Sequence, residues 1–215
     1  MSLLQEKRLS TPTVFFDVKD GRFYAEIETP RLYIRSYNDE DFYDCLQLYG
    51  DKEITKHFDF GRPRTLHEVK ELIVEKGLKY FSKAKPFGLF SVFEKDTMEF
   101  LGQVDFLPSE EPGTVEVGYI FHSRYHNQGY CTEAVKAIIF DYVYEVNFRY
   151  LTQRNKIQKI IATAHPKNYP SIKVLEKLGM SFYKFEDRFE KERLWFSLTL
   201  KDTAIHETSR IRIKK

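Results

Sequence analysis

The residues best suited to chemistry lie between 115 and 134, in the run VEVGYIFHSRYHNQGYCTEA. An apolar strand, a polar loop holding Gly129 and an amphipathic helix follow one another there. A strand that turns tightly into a helix N-terminus gathers several backbone N–H groups at one place, and the helix dipole favours an anion there. The backbone amides of the loop and first helical turn are the expected donors, and Gly129 is the position where a side chain would obstruct a phosphate. The spacing therefore predicts a site for a phosphorylated ligand. The chain has neither a G-x-G-x-x-G run nor a P-loop lysine, which argues against a dinucleotide or nucleoside-triphosphate enzyme.

The elements that must position this loop can be read from periodicity. Strand patterns cover 32–37, 87–93, 100–107, 115–121, 159–164, 182–186 and 194–200, those at 87–93, 100–107 and 115–121 forming an antiparallel meander. Helical patterns cover 38–50, 65–81, 131–144 and 168–179, with Asn38 or Asp39 capping the first and Gly179 ending the last. The order is mixed α+β. Residues 1–28 read as an extension, with Asp20-Gly21 between two apolar runs as a hairpin signal. Residues 29–201 form the domain, and 202–215 a basic tail carrying Arg210, Arg212, Lys214 and Lys215.

Composition frames the function. With 34 basic against 32 acidic residues, a net charge of +2 does not suggest nucleic acid as the partner. Cys45 and Cys131 stand far apart without metal or disulfide spacing, and no H-E-x-x-H or Cys/His cluster suggests a metal. No run approaches the ~20 apolar residues of a membrane span, so a cytoplasmic location is expected.

The segments EVGY at 116–119, HSRYHNQGYCTEA at 122–134, and NYPS at 168–171 with VLEKLG at 174–179 resemble the GNAT acetyltransferase superfamily. The pattern is similar to the RimJ/RimL type, the ribosomal-protein N-terminal acetyltransferases, and ETPRL at 28–32 with Arg35 resembles the start of that domain. The resemblance implies a mostly antiparallel twisted sheet, splayed at the cofactor site and flanked by helices. It implies transfer of an acetyl group from acetyl-CoA to a primary amine by direct attack in a ternary complex, the acceptor being a protein N-terminus or a small molecule. The alternative is a catalytically weak acyl-CoA-binding module. Monomer and homodimer both stay open.

Carried over by position, Ile120 and Phe121, with His122 adjacent, face the pantetheine, and 126–131 face the pyrophosphate. Glu116 takes the ammonium proton, the Phe121 N–H supports the oxyanion, and Ser171 protonates the sulfur, with Tyr169 and Tyr183 as reserve acids. Asn168 holds the cofactor or caps its helix. His122 and His165 are open between structural roles and substrate contact. The family usually has proline at Ser123, tryptophan at His126, glycine at Asn127, a cation at Gln128, and alanine or glycine at Cys131. The missing cation assigns phosphate neutralisation to Arg124 or to another basic residue. Asp39, Glu40, Asp41, Asp44, Asp51 and Glu53 form either an attractor for a cationic acceptor or a solvated helix face.

Overall fold

The computed structural model describes residues 12–200. Nine strands form one sheet: β1 Thr13–Lys19, β2 Arg22–Glu28, β3 Leu32–Ser36, β4 Gly88–Glu94, β5 Phe100–Pro108, β6 Thr114–Phe121, β7 Lys159–Ala164, β8 Ser181–Arg188 and β9 Lys191–Thr199. Their order is β1-β2-β3-β4-β5-β6-β7-β9-β8. Every pairing is antiparallel except β6 with β7, which is parallel. The Asp20-Gly21 turn joins β1 to β2, and β2 pairs onward with β3. These strands are therefore not an appendage: Phe23, Ala25 and Ile27 alternate into the main core. The remainder of the extension (1–11) and the basic tail lie outside the described residues.

The helices divide between the two faces of the sheet. On one face lie α1 Phe42–Gly50, the single turn α2 Lys52–Thr55, and α3 Leu66–Leu72, which runs on as π-helix over Ile73–Leu78. Cys45, Leu48, Tyr49, Val69 and Leu72 pack there against Leu89, Phe93 and Ile120. On the other face, α4 Tyr130–Lys136 continues through a π segment, Ala137–Tyr142, into α5 Val143–Arg149. This helix is longer than its sequence pattern predicts, because Val143 and Val146 extend its buried stripe. The short α6 Tyr169–Lys177 packs beside it. No helix among the described residues is long and apolar enough to cross a membrane.

Local pairing and capping account for two members of the acidic cluster, Asp41 and Asp51. Asp41 is buried, pairing with Arg35 at 2.6 Å and accepting from the Ser91 hydroxyl at 2.7 Å, while Asp51 caps α2. Neither is free to attract a cationic acceptor.

Candidate active site

The parallel pair holds for three residues only: Thr114 with Lys159, Val115 with Ile160, and Glu116 with Ile161. Beyond Glu116, β6 stays with β5 while β7 follows β9, so the sheet opens between them. His122 N–H donates to the Leu101 carbonyl at 2.9 Å. Strand alternation then turns the backbone groups of Ile120 and Gly118 toward β5, and those of Tyr119 and Phe121 toward the opening. His126 Nε2 lies 2.9 Å from the Phe121 carbonyl, on that open side. Gly102 on β5 is needed here, because a Cβ at that position would fall 2.3 Å from the Ile120 carbonyl oxygen.

A cavity of about 370 Å³ runs through the opening. It is lined by Glu116, Ile120, Phe121, His126, Asn127, Gly129, Cys131, Asn168 and Ser171, nine of the predicted site residues. Three others turn elsewhere. The His122 ring packs edge-on against Phe100 at 6.0 Å, and its N–H is committed to β5. Gln128 folds its amide back onto the Arg124 carbonyl at 2.8 Å. Tyr130 lies beneath the Arg31 guanidinium at 4.4 Å, so its contribution is its N–H alone. The backbone of Ile120 is likewise spent on β5, and it is Tyr119 that shares the open edge with Phe121.

The loop itself is built for close approach. Asn127 and Gly129 both adopt left-handed backbone, φ 62° and 83°, and Gly129 caps α4 without a side chain. Glu133 N–H donates to the Gly129 carbonyl, so the N–H groups of Tyr130, Cys131 and Thr132 before it have no helical acceptor. Arg31 clamps this loop. Its Nη1 donates to the Gln128 carbonyl at 2.9 Å and its Nε to Glu133 at 2.7 Å, while Nη2 would lie 3.3 Å from a Cβ on Gly129. Arg124 pairs with Glu99 at 2.8 Å and Arg31 with Glu133 at 2.6 Å, so Arg31 holds the loop in shape and both guanidiniums already face a carboxylate. Lys173 and Lys177 line the cavity from α6.

The two walls of the opening differ in chemistry. On the α4–α6 face, the Tyr119 hydroxyl lies 3.0 Å from both the carbonyl and the Oγ of Ser171, whose N–H is capped by Asn168. Burial pushes the Tyr119 phenol well above its ordinary range, so it stays protonated. Sequence reasoning passed over Tyr119, although EVGY contains it. The reserve acids are remote: Tyr169 is 67% exposed, and Tyr183 stacks near Trp195 outside the cavity.

On the opposite face, Glu116 pairs with Arg188 at 2.5 Å and Asp105 pairs with Lys76 at 3.1 Å. Burial pulls the Lys76 ammonium down, but the facing Asp105 carboxylate outweighs it and holds the ammonium above its ordinary range. The loop after α2 closes this end. Arg193 donates to the carbonyls of His57, at 2.9 Å, and of Asp59, and Phe60 meets Phe189 at 5.3 Å. His57, in no recognisable motif, stacks on His165. Among the described residues no cluster of three His, Cys, Asp or Glu side chains stands ready for a metal.

The sheet is thus parted beside its one parallel pair, with unbonded amides at the start of α4 on one face and paired carboxylates on the other. A family model described as the acetyltransferase (GNAT) domain matches residues 31–181. An uncharacterized N-acetyltransferase of Bacillus subtilis, YnaD, is 29% identical over 157 residues, 72% of this chain and 81% of the relative. A GNAT-family acetyltransferase structure from Bacillus anthracis superposes with TM-score 0.63 at 22% identity, covering 81% of this chain and 98% of that one. Spermidine N-acetyltransferase from Vibrio cholerae, solved with CoA and spermine, superposes with TM-score 0.60 at 13% identity, covering 78% and 95%. This chain belongs to the GNAT acetyltransferase family.

Proposed function

We propose that this acetyltransferase uses acetyl-CoA and passes the acetyl group to a primary amine by direct attack in a ternary complex. The observation that carries the reading is the parting of β6 from β7, which leaves one cavity reached from two faces of the sheet. The residues fit the donor. Free amides of 127–132 suit its pyrophosphate, the His126 N–H being spent on the Ser123 carbonyl at 3.1 Å; the two α6 lysines supply positive charge, and the open edge at Tyr119 and Phe121 matches the amides of a pantetheine arm. The thioester supplies an activated acyl carbon, so the protein must neutralise the amine, support an oxyanion and protonate a thiolate.

Glu116, on the acceptor face, takes the ammonium proton directly or through water. The Phe121 N–H donates to the carbonyl oxygen as its charge develops. Ser171 gives its hydroxyl proton to the departing sulfur, and the Tyr119 hydroxyl, which donates to the Ser171 carbonyl at 3.0 Å and lies 3.0 Å from Ser171 Oγ, holds the serine in position. The C–N bond forms as the C–S bond breaks, and no residue is acylated. An α-amino group, with pKa about 7.7–8.0 against about 10.4 for lysine, needs less help to become neutral, which favours N-terminal or similarly weakly basic acceptors. The EVGY run and the ETPRL lead-in support a RimJ/RimL-like type.

Thiol release from acetyl-CoA over a panel of amines tests the reading. Release with at least one amine is expected, and Glu116→Gln lowers it most near and below neutral pH, where the acceptor is most protonated. Tight CoA binding without release on any amine would favour a binding module instead.

A further inference from the structure

At the acceptor end two imidazoles lie face to face, the rings of His57 and His165 having centroids 4.9 Å apart and planes 29° from parallel. They come from distant elements: His57 follows α2 and lines the cavity, while His165 follows β7 on the face shared by Ile161 and Thr163. The surroundings are cationic. Lys56 and Lys167 flank the two rings, and Lys191 and Arg193 act on both of them from β9. The Lys191 ammonium occupies the space over Gly61, and Arg193 is 3% exposed.

The nearby carboxylates are already engaged. Asp59 is held by Arg64, Glu116 by Arg188 and Asp105 by Lys76. Burial first, and then these cations, depress both imidazoles below the ordinary histidine range. The Lys167 N–H donates to His165 Nδ1 at 3.1 Å, which leaves the proton of the neutral ring on Nε2. Two ring donors inside an uncompensated positive field are suited to an anion. An acceptor with a second ammonium would meet four cations at the same place.

Building on the acetyl-transfer reading, we infer that His57 and His165, with Lys191 and the field of Arg193, form an anion subsite, and that the acceptor is a primary amine also carrying a carboxylate or phosphate. Bound anion would draw a proton onto the imidazole pair, so binding takes up protons near neutral pH.

Ethanolamine, β-alanine and O-phosphoethanolamine share an aminoethyl arm and differ at the far end. Calorimetric titration of each into the CoA-loaded protein, in two buffers of different ionisation enthalpy, separates carboxylate from phosphate without relying on turnover. At least one anionic amine should bind about tenfold or more tightly than ethanolamine, the scale of one charge-assisted hydrogen bond, with proton uptake. Lys191→Gln, at a partly exposed site, should cut that preference severalfold and leave ethanolamine binding and Tm unchanged; His57→Asn should remove most of it. Affinities within threefold of one another, no binding by any of the three, or a preference unmoved in both variants would each overturn the subsite. Anion-selective binding with no thiol release from any amine would leave the subsite standing and count against acetyl transfer alone.

Discussion

Replacing Tyr119 by Phe removes one oxygen atom from the junction between the sheet opening and α6. That hydroxyl is buried and sits 3.0 Å from both the Ser171 carbonyl and Ser171 Oγ. Losing it strips a partner from a half-buried helix carbonyl, a cost of about 1–2 kcal/mol. For a domain of this size, such a loss lowers Tm by roughly 2–8 °C. The effect on turnover should be larger. General acids contribute about 10²–10⁴ in rate, and a serine without its orienting phenol retains only part of that. A fall in kcat of about 10–100-fold is expected, with KM for acetyl-CoA changing less than about threefold, because the loop amides are untouched. Ser171→Ala should cost a similar factor, and the double variant little more than either single one, since Tyr119 acts on the reaction only by positioning Ser171. Because burial holds the phenol above its usual range, Tyr119 adds no inflection to the pH–rate profile between pH 6 and 9. Steady-state thiol release at saturating acceptor, with thermal melts alongside, measures all of this. Multiplicative losses in the double variant, or wild-type kcat in Tyr119→Phe with the Tm fall intact, would refute this positioning role.

Gly129→Ala places a Cβ on left-handed backbone 3.3 Å from Arg31, at about 1–2 kcal/mol of strain; KM for acetyl-CoA should rise more than the melt alone would predict, and equal losses would contradict the cradle. Arg31→Ala frees the Gln128 carbonyl and Glu133, and should raise that KM severalfold with kcat little changed, as read by initial rates over an acetyl-CoA series. Burial raises the Asp141 carboxyl to about 6, so the folded state binds its proton more tightly than the unfolded chain, and stability falls as pH rises from about 4 through 6. Asp141→Asn should therefore raise Tm by several degrees at pH 7.5 and leave it nearly unchanged at pH 4.

The half of the molecule that carries the β6–α4 loop is legible in the sequence because its signals are local. Alternation gave β4 to β7 nearly residue for residue, Asn168 and Gly179 bracket α6, and the positive φ of Asn127 and Gly129 follows from residue types that tolerate it. Ile120 was paired with Phe121 as ligand-facing because the motif names residues, whereas the direction of an N–H depends on the ladder register with β5. The π-helical stretches in α3 and after α4 carry the same apolar stripe as ordinary helix, so periodicity does not separate them. The acceptor half depends on distant pairs. His57 meets His165 and Arg193 reaches the His57 carbonyl across 136 residues of sequence, and no spacing rule brings such positions together.

The faces of the sheet carry the mechanistic argument further than any single residue. On β6 even-numbered side chains face α1–α3 and odd-numbered ones face α4–α6, so Glu116 and Tyr119, three residues apart, must serve opposite sides. A base on the acceptor side and an acid on the donor side cannot exchange a proton through the intact part of the sheet. They communicate only where β7 has left β6, and that gap begins one residue past Glu116. In the proposed reaction the amine would deliver its proton on one side while the sulfur receives another proton on the other side. That division is what direct transfer with both substrates present would need, at the position where the parallel ladder ends.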